Sequence, residues 1–78
     1  MDDDEITAKS VLSLLETARS LATYAQGLFE AAAEETDEIS QAIFIKVAMS
    51  SLECADKTTR LARMQRDALQ AAKNARLS

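Results

Sequence analysis

The chain has 78 residues, so it predicts one small domain near the length at which a single hydrophobic core is marginal. One cysteine and no histidine exclude an internal disulfide and argue against a structural zinc site, which leaves oligomerisation as the usual aid for a small domain. The absence of proline, a single glycine and an abundance of Ala, Leu, Glu, Arg, Lys and Gln predict an all-α protein.

The net charge of −4 is divided unevenly along the chain. Residues 1–38 contain ten acidic and two basic side chains, whereas residues 39–78 contain three acidic and seven basic ones. The division fits a basic nucleic-acid surface, or two antiparallel helices that attract each other. The second interpretation is favoured because it needs no partner.

Targeting signals are not predicted. Met1 is followed by Asp2, Asp3, Asp4 and Glu5 rather than by a basic and apolar run, and the apolar runs are too short for a membrane span. With the free thiol, this predicts a cytoplasmic protein that does not contact membranes.

The first predicted helix runs from about residue 3 to about residue 34. Its acidic start suits the positive end of the helix dipole, and Asp2 as N-cap places Glu5 at N3, as in a capping box. A divalent-cation site on these carboxylates is the less favoured alternative.

An apolar stripe roughly 140° wide follows along this helix. Its members are Val11, Leu14, Leu15, Ala18, Leu21, Ala22, Ala25, Leu28, Phe29 and Ala32. Four of them recur every seven residues: Val11, Ala18, Ala25 and Ala32. Small residues at such a spacing allow a neighbouring helix to come close, which is typical of an antiparallel bundle. Tyr24 lies outside the stripe, at a rim or in a subunit interface.

A turn at residues 35–37 should lead into a second helix over about residues 38–75, with Thr36 or Asp37 as its cap. So short a connection predicts an antiparallel helical hairpin, with the acidic residues 2–5 near residues 66–70, in the more basic end of the second helix. Asp56, followed by two threonines, could instead begin a third helix, giving a three-helix bundle. The continuous helix is favoured.

The second helix has two apolar rows. The first contains Phe44, Val47, Ala48, Cys54, Ala55, Leu61, Ala62, Ala68 and Leu69, and predicts a buried, inert Cys54 thiol. The second contains Ile45, Met49 and Leu52, preceded by Ala42. One neighbouring helix would cover only the first row. The second therefore predicts an interface, either in a homodimer that forms a four-helix bundle or with a different protein.

The sequence gives little support for a catalytic, cofactor-binding or metal-binding site. Without histidine, a glycine-rich phosphate loop or a metal motif, we expect no enzymatic activity, no cofactor and no metal. Four basic residues could contact a polyanion or a partner: Lys57, Arg60, Arg63 and Arg66. A spacing of three residues makes them spiral around the helix, and no aromatic residue lies beyond Phe44 to stack on bases.

A dimer of such hairpins resembles, in topology alone, the RNA-binding hairpin dimers of the ROP type that control plasmid copy number; no motif residues match. The sequence thus favours a non-enzymatic protein-interaction module of the size of small bacterial or phage regulators, inhibitors and chaperones. RNA binding by the basic half is the second hypothesis. An acidic decoy that occupies a nucleic-acid-binding protein through the first helix is the third.

Overall fold

A computed structural model of the chain describes residues 7–77, and they form two α-helices without a strand. Helix α1 spans Ala8–Glu34 and helix α2 spans Glu38–Leu77. This confirms the predicted all-α class and the helical hairpin. The molecule measures 61 × 22 × 13 Å. Its length is that of α2, because 40 residues rising 1.5 Å each extend about 60 Å.

Helix α1 begins five residues after its predicted start. Thr7 is its N-cap, in an extended conformation, and Ser10 completes a capping box. The Ser10 N–H donates to Thr7 Oγ1 and the Thr7 N–H donates to Ser10 Oγ, each at 3.1 Å. These bonds satisfy backbone donors that the first helical turn leaves free. The acidic residues 2–5, with the predicted Asp2 cap, lie outside the described residues.

Side chains of the connection organise the reversal of the chain. Glu35 Oε1 accepts hydrogen bonds from the N–H groups of Thr36 and Asp37, each at 3.1 Å. Asp37 then caps α2, since its Oδ2 accepts the N–H of Ser40 at 3.0 Å. Of the two predicted caps, Thr36 and Asp37, the structure therefore selects Asp37.

Helix α2 continues without a break through Asp56, and the three-helix alternative is not observed. Asp56 is not an N-cap but pairs with Arg60 one turn later, at 2.8 Å. The hydroxyls of Thr58 and Thr59 donate to the carbonyl oxygens of Cys54 and Ala55, at 2.7 and 2.8 Å. Both threonines thus satisfy their polar groups inside the helix, which explains why they do not end it.

The helices meet along a seam of small residues that recur every seven positions. We call this the alanine seam; its described members are Val11, Ala18, Ala25 and Ala32 in α1 and Ala48, Ala55 and Ala62 in α2, all buried. The side-chain amide of Gln41 donates to the carbonyl oxygen of Ala32 at 2.8 Å. This bond places Ala32 level with Gln41. Because the helices are antiparallel, the residue seven positions before Ala32 is level with the residue seven positions after Gln41. These two residues are Ala25 and Ala48, and both are fully buried.

Part of the predicted first row of α2 is wrong. Four of its members are exposed, Val47, Cys54, Leu61 and Ala68, and Ser51, which was not in the row, is buried. One neighbouring helix covers only a narrow arc, and the seam alanines centre that arc between Ala48 and Ser51. Ser51 is tolerated because its hydroxyl donates to the carbonyl oxygen of Leu21 at 2.8 Å. Neither helix of the described chain contains a stretch long and apolar enough to cross a membrane.

Candidate protein-interaction faces

A hairpin of two helices has two broad sides, and helix geometry assigns each residue to one of them. The seam positions are 11, 18, 25 and 32 in α1 and 41, 48, 55 and 62 in α2. At about 100° per residue, residues one or four positions after a seam position turn to one side. Residues one position before a seam position, or two positions after it, turn to the opposite side. Because the helices are antiparallel, equal offsets in α1 and α2 project from the same side.

The first face is the side formed by the offsets of one and four. Its apolar members are exposed or half-buried large side chains together with small alanines: Leu12, Leu15, Ala22, Phe29, Ala42, Ile45, Met49 and Leu52. Towards the turn, from Ala42 to Leu52, the α2 part of this face is entirely apolar. Towards the open end of the hairpin it also contains Arg19, Asp56, Arg63 and Arg66. The first face is therefore apolar near the turn. Towards the open end its α2 part is predominantly basic and lies beside Leu12 and Leu15 of α1.

The second face is the opposite broad side. From α1 it takes small or hydroxyl side chains and one aromatic: Ser10, Ser13, Thr17, Ser20, Tyr24, Gly27 and Ala31. From α2 it takes mostly apolar side chains: Ile43, Val47, Ser50, Cys54, Lys57, Leu61 and Met64. Among these residues Lys57 alone is charged, and Glu34, two positions after Ala32, adds a carboxylate to this face beside the turn. A shallow open groove of about 420 Å³ runs along α1 on this side, lined by Ser13, Glu16, Thr17, Ser20, Leu21 and Tyr24.

The predicted interface residues are divided between the two faces. Ala42, Ile45, Met49 and Leu52 lie together on the first face, where Phe29 from α1 extends them; Leu12 and Leu15 lie on the same face nearer the open end. Tyr24 lies on the second face, at the groove. The sequence missed the contribution of α1 to the first face because Leu15 and Phe29 fell within the stripe assigned to the core. They are 39% and 36% exposed.

The four basic residues singled out from the sequence do not share one side. Lys57 is on the second face, and Arg60 is on the outer edge of α2, paired with Asp56. Arg63 and Arg66 turn to the first face, and the Arg66 guanidinium lies 3.7 Å from Asp67. The spiral expected from a spacing of three residues is the arrangement observed. A polyanion lying on one side of α2 would meet two of the four.

Exposure of Cys54 corrects the prediction of a buried thiol. It lies one position before Ala55, between Val47 and Leu61 on the second face. In the single hairpin this row is exposed because it lies just outside the narrow arc of α2, centred between Ala48 and Ser51, that α1 covers. Among residues 7–77, no three Cys, Asp or Glu side chains are grouped so as to hold a metal ion.

The exposed area is large for the mass of the chain. The chain exposes 6232 Å², against about 4,700 Å² expected for a compact protein of 8.5 kDa. No large side chain of the described residues is fully buried. The core is therefore a row of alanines, and most of the large apolar side chains lie on the two broad faces.

The fold thus defines the chain as an antiparallel helical hairpin with an alanine seam. No protein-family model, curated protein sequence or solved structure matches it. Its two faces are therefore interpreted from their own chemistry.

Proposed function

We propose that this protein is a non-enzymatic interaction module, a small helical regulator, inhibitor or chaperone that binds another protein through its first face. We also propose that two chains assemble into a four-helix bundle in the cytoplasm. The observation that carries the proposal is the apolar half of the first face, where Phe29, Ile45, Met49 and Leu52 are 36–59% exposed. Contiguous exposed apolar side chains of this size typically mark interaction surfaces.

The energy available from this patch is sufficient for a specific contact. Covering Ile45, Met49 and Leu52, each about half exposed, contributes on the order of 2–4 kcal/mol before the entropy of association is subtracted. Phe29 extends the patch across the neighbouring helix. Because both helices are held by the same seam, a partner meets a surface that is already ordered, which reduces the entropic cost of binding.

The basic half of the first face indicates the chemistry of the partner. Beyond Leu52, the face continues with Arg19, Arg63 and Arg66, and its carboxylate, Asp56, is paired with Arg60. A protein with an apolar patch bordered by Asp or Glu side chains would match both halves. The charges would contribute chiefly to orientation and to the rate of association.

Substitution of one methionine on each face tests the proposal. Met49 on the first face is 59% exposed and Met64 on the second face is 68% exposed, and both lie in α2. In affinity capture from the native host, the wild type and Met64→Lys should retain the same partner, and Met49→Lys should lose it. Helical circular dichroism should be unchanged in both variants, because neither side chain is in the seam.

Two outcomes contradict this assignment. Equal retention of the partner by all three proteins would remove the first face from the contact. Loss of helicity in Met49→Lys would place Met49 in the core of the hairpin.

A further inference from the structure

We infer that the second face is the self-association surface: a second copy of the chain packs on it, and the first face stays free for the partner. The inference rests on the assembly part of the proposed function and assigns it to a side of the molecule. The sequence placed self-association at Ile45, Met49 and Leu52 on the first face, or left those residues to a different protein.

Extent is the first reason. From Ile43 to Met64 the second face continues for about 32 Å at 1.5 Å per residue, and the hairpin is 22 Å wide. The product is about 700 Å² per copy, close to the roughly 800 Å² per partner of a stable interface. The apolar half of the first face, between Ala42 and Leu52, is only about 15 Å long by the same measure and offers about half that area.

Charge is the second reason. In a two-fold contact, each charged group that is buried is buried twice, and a desolvated charge without a partner is costly. Between Ile43 and Met64, Lys57 is the one charged residue that α2 contributes to the second face. The first face contains three arginines, and a two-fold contact over its full length would bury them in both copies.

Self-complementary shape is the third reason. The groove on α1 lies between Ser13 and Tyr24. In the register fixed by Gln41 and Ala32, it is level with the part of α2 around Cys54. The exposed row of Val47, Cys54 and Leu61 is centred at the same level. A two-fold axis that lies in the contact plane, parallel to the helices and midway between them, lays α2 of each copy over α1 of the other at the same level. The apolar row of each copy therefore meets the groove of the other.

Lys57 also finds a counter-charge in this arrangement. Glu16 lines the groove, and the two-fold axis brings the groove of one copy over the Lys57 side of α2 in the other. A self-paired second face then contains a carboxylate for each ammonium group. Such a four-helix bundle leaves both first faces pointing outward.

Two leucines of nearly equal exposure provide the test. Leu61 on the second face is 44% exposed and Leu52 on the first face is 42% exposed, and both lie in α2. By sedimentation equilibrium, the wild type and Leu52→Lys should have about twice the monomer mass of 8.5 kDa. Leu61→Lys should raise the dimer dissociation constant at least about a hundredfold, because each dimer would bury two unpaired ammonium groups.

A monomeric wild type at all concentrations would overturn the inference and would leave the second face to a different protein. Dissociation of Leu52→Lys with an intact Leu61→Lys dimer would also overturn it and would move self-association to the first face. Neither mass result touches the proposed partner binding, which the capture experiment with Met49→Lys measures separately.

The reactivity of the Cys54 thiol gives a second test of the dimer, and this test uses the wild-type protein alone. In the inferred dimer it is covered, so its reaction with a disulfide reagent should be slow at high protein concentration and fast after dilution below the dissociation constant. A rate independent of protein concentration, measured on the wild type across the range in which the mass changes, would contradict the inference even if Leu61→Lys failed to fold.

Discussion

At the scale of single residues, Asp37 accounts for the start of α2. Its Oδ2 accepts both the N–H and the hydroxyl of Ser40, at 3.0 and 2.8 Å. The side-chain hydrogen bond first, and the backbone one second, lower the pKa of Asp37 below its ordinary value of 3.8. A carboxylate with a lowered folded-state pKa stabilises the fold fully above its unfolded pKa and loses that contribution as the pH falls through the folded value.

Asp37→Asn should therefore be less stable than the wild type at neutral pH, by a margin that disappears below pH 3.8. Asparagine still caps a helix, so the difference isolates the charge of Asp37. Glu38→Gln is the matched control, because it removes a charge from the same turn without altering the bonds to Ser40. Urea unfolding followed by circular dichroism at several pH values measures all three proteins. Parallel profiles for the wild type and Asp37→Asn would show that the cap does not titrate as described.

Gly27 is a second position where a single residue affects stability, here the stability of helix α1. It lies inside α1, its φ is not positive, and a Cβ added there would meet no atom within 4 Å. Gly27→Ala should raise the free energy of unfolding by about 1 kcal/mol, the difference in helix propensity. Thermal unfolding at low protein concentration, where the chain is dilute enough to be monomeric, is the measurement. A lower midpoint would reveal a close neighbour at this position.

At the scale of the helices, the alanine seam fixes how closely α1 and α2 approach. Ala25 and Ala48 have 0% exposure and lie at the same level. A larger side chain at either position must separate the helices or leave its preferred rotamer. Close approach also accounts for the hydrogen bond from the Ser51 hydroxyl to a main-chain oxygen of the other helix.

Ala48→Leu should consequently lower the free energy of unfolding by about 1–3 kcal/mol, as overpacked cores do. Ala22→Leu is the control, since Ala22 is exposed and a surface change of this kind usually stays within about 0.5 kcal/mol. Chemical denaturation of the two variants gives the comparison. Equal stabilities would mean that the helices are not in close contact at Ala48.

The heptad spacing of the seam made these elements predictable. Val11, Ala18 and Ala25 already identified the inner side of α1, and Ala48, Ala55 and Ala62 that of α2. The burial of Ser51 was not predictable, because its hydroxyl bonds to a carbonyl of the other helix and a hydropathy pattern contains no such information. The exposure of Cys54 was missed for a related reason. The apolar surface of α2 is wider than the arc that one alanine-faced helix can cover.

The start of α1 and the division into two faces also could not be predicted from the hydropathy pattern alone. Thr7 was not among the predicted caps, and its backbone geometry identifies it as the N-cap of α1. Tyr24 and Met49 were placed in one interface because both lay outside the predicted core. Their opposite sides follow only once the register between α1 and α2 is known.

At the scale of the whole molecule, the shape of the assembly is measurable in solution. A single hairpin has a radius of gyration of 17.7 Å, calculated from Cα positions. Two hairpins packed face to face lie about 10 Å apart, so the dimer should have a radius of gyration less than about 1 Å larger. Its maximum dimension should stay close to the 61 Å length of the hairpin. End-to-end pairing would instead roughly double both values.

Small-angle X-ray scattering of the wild type, at a concentration where its mass is dimeric, measures both quantities. Leu61→Lys at the same concentration provides the monomer curve. Doubled values would exclude a four-helix bundle formed through either broad face.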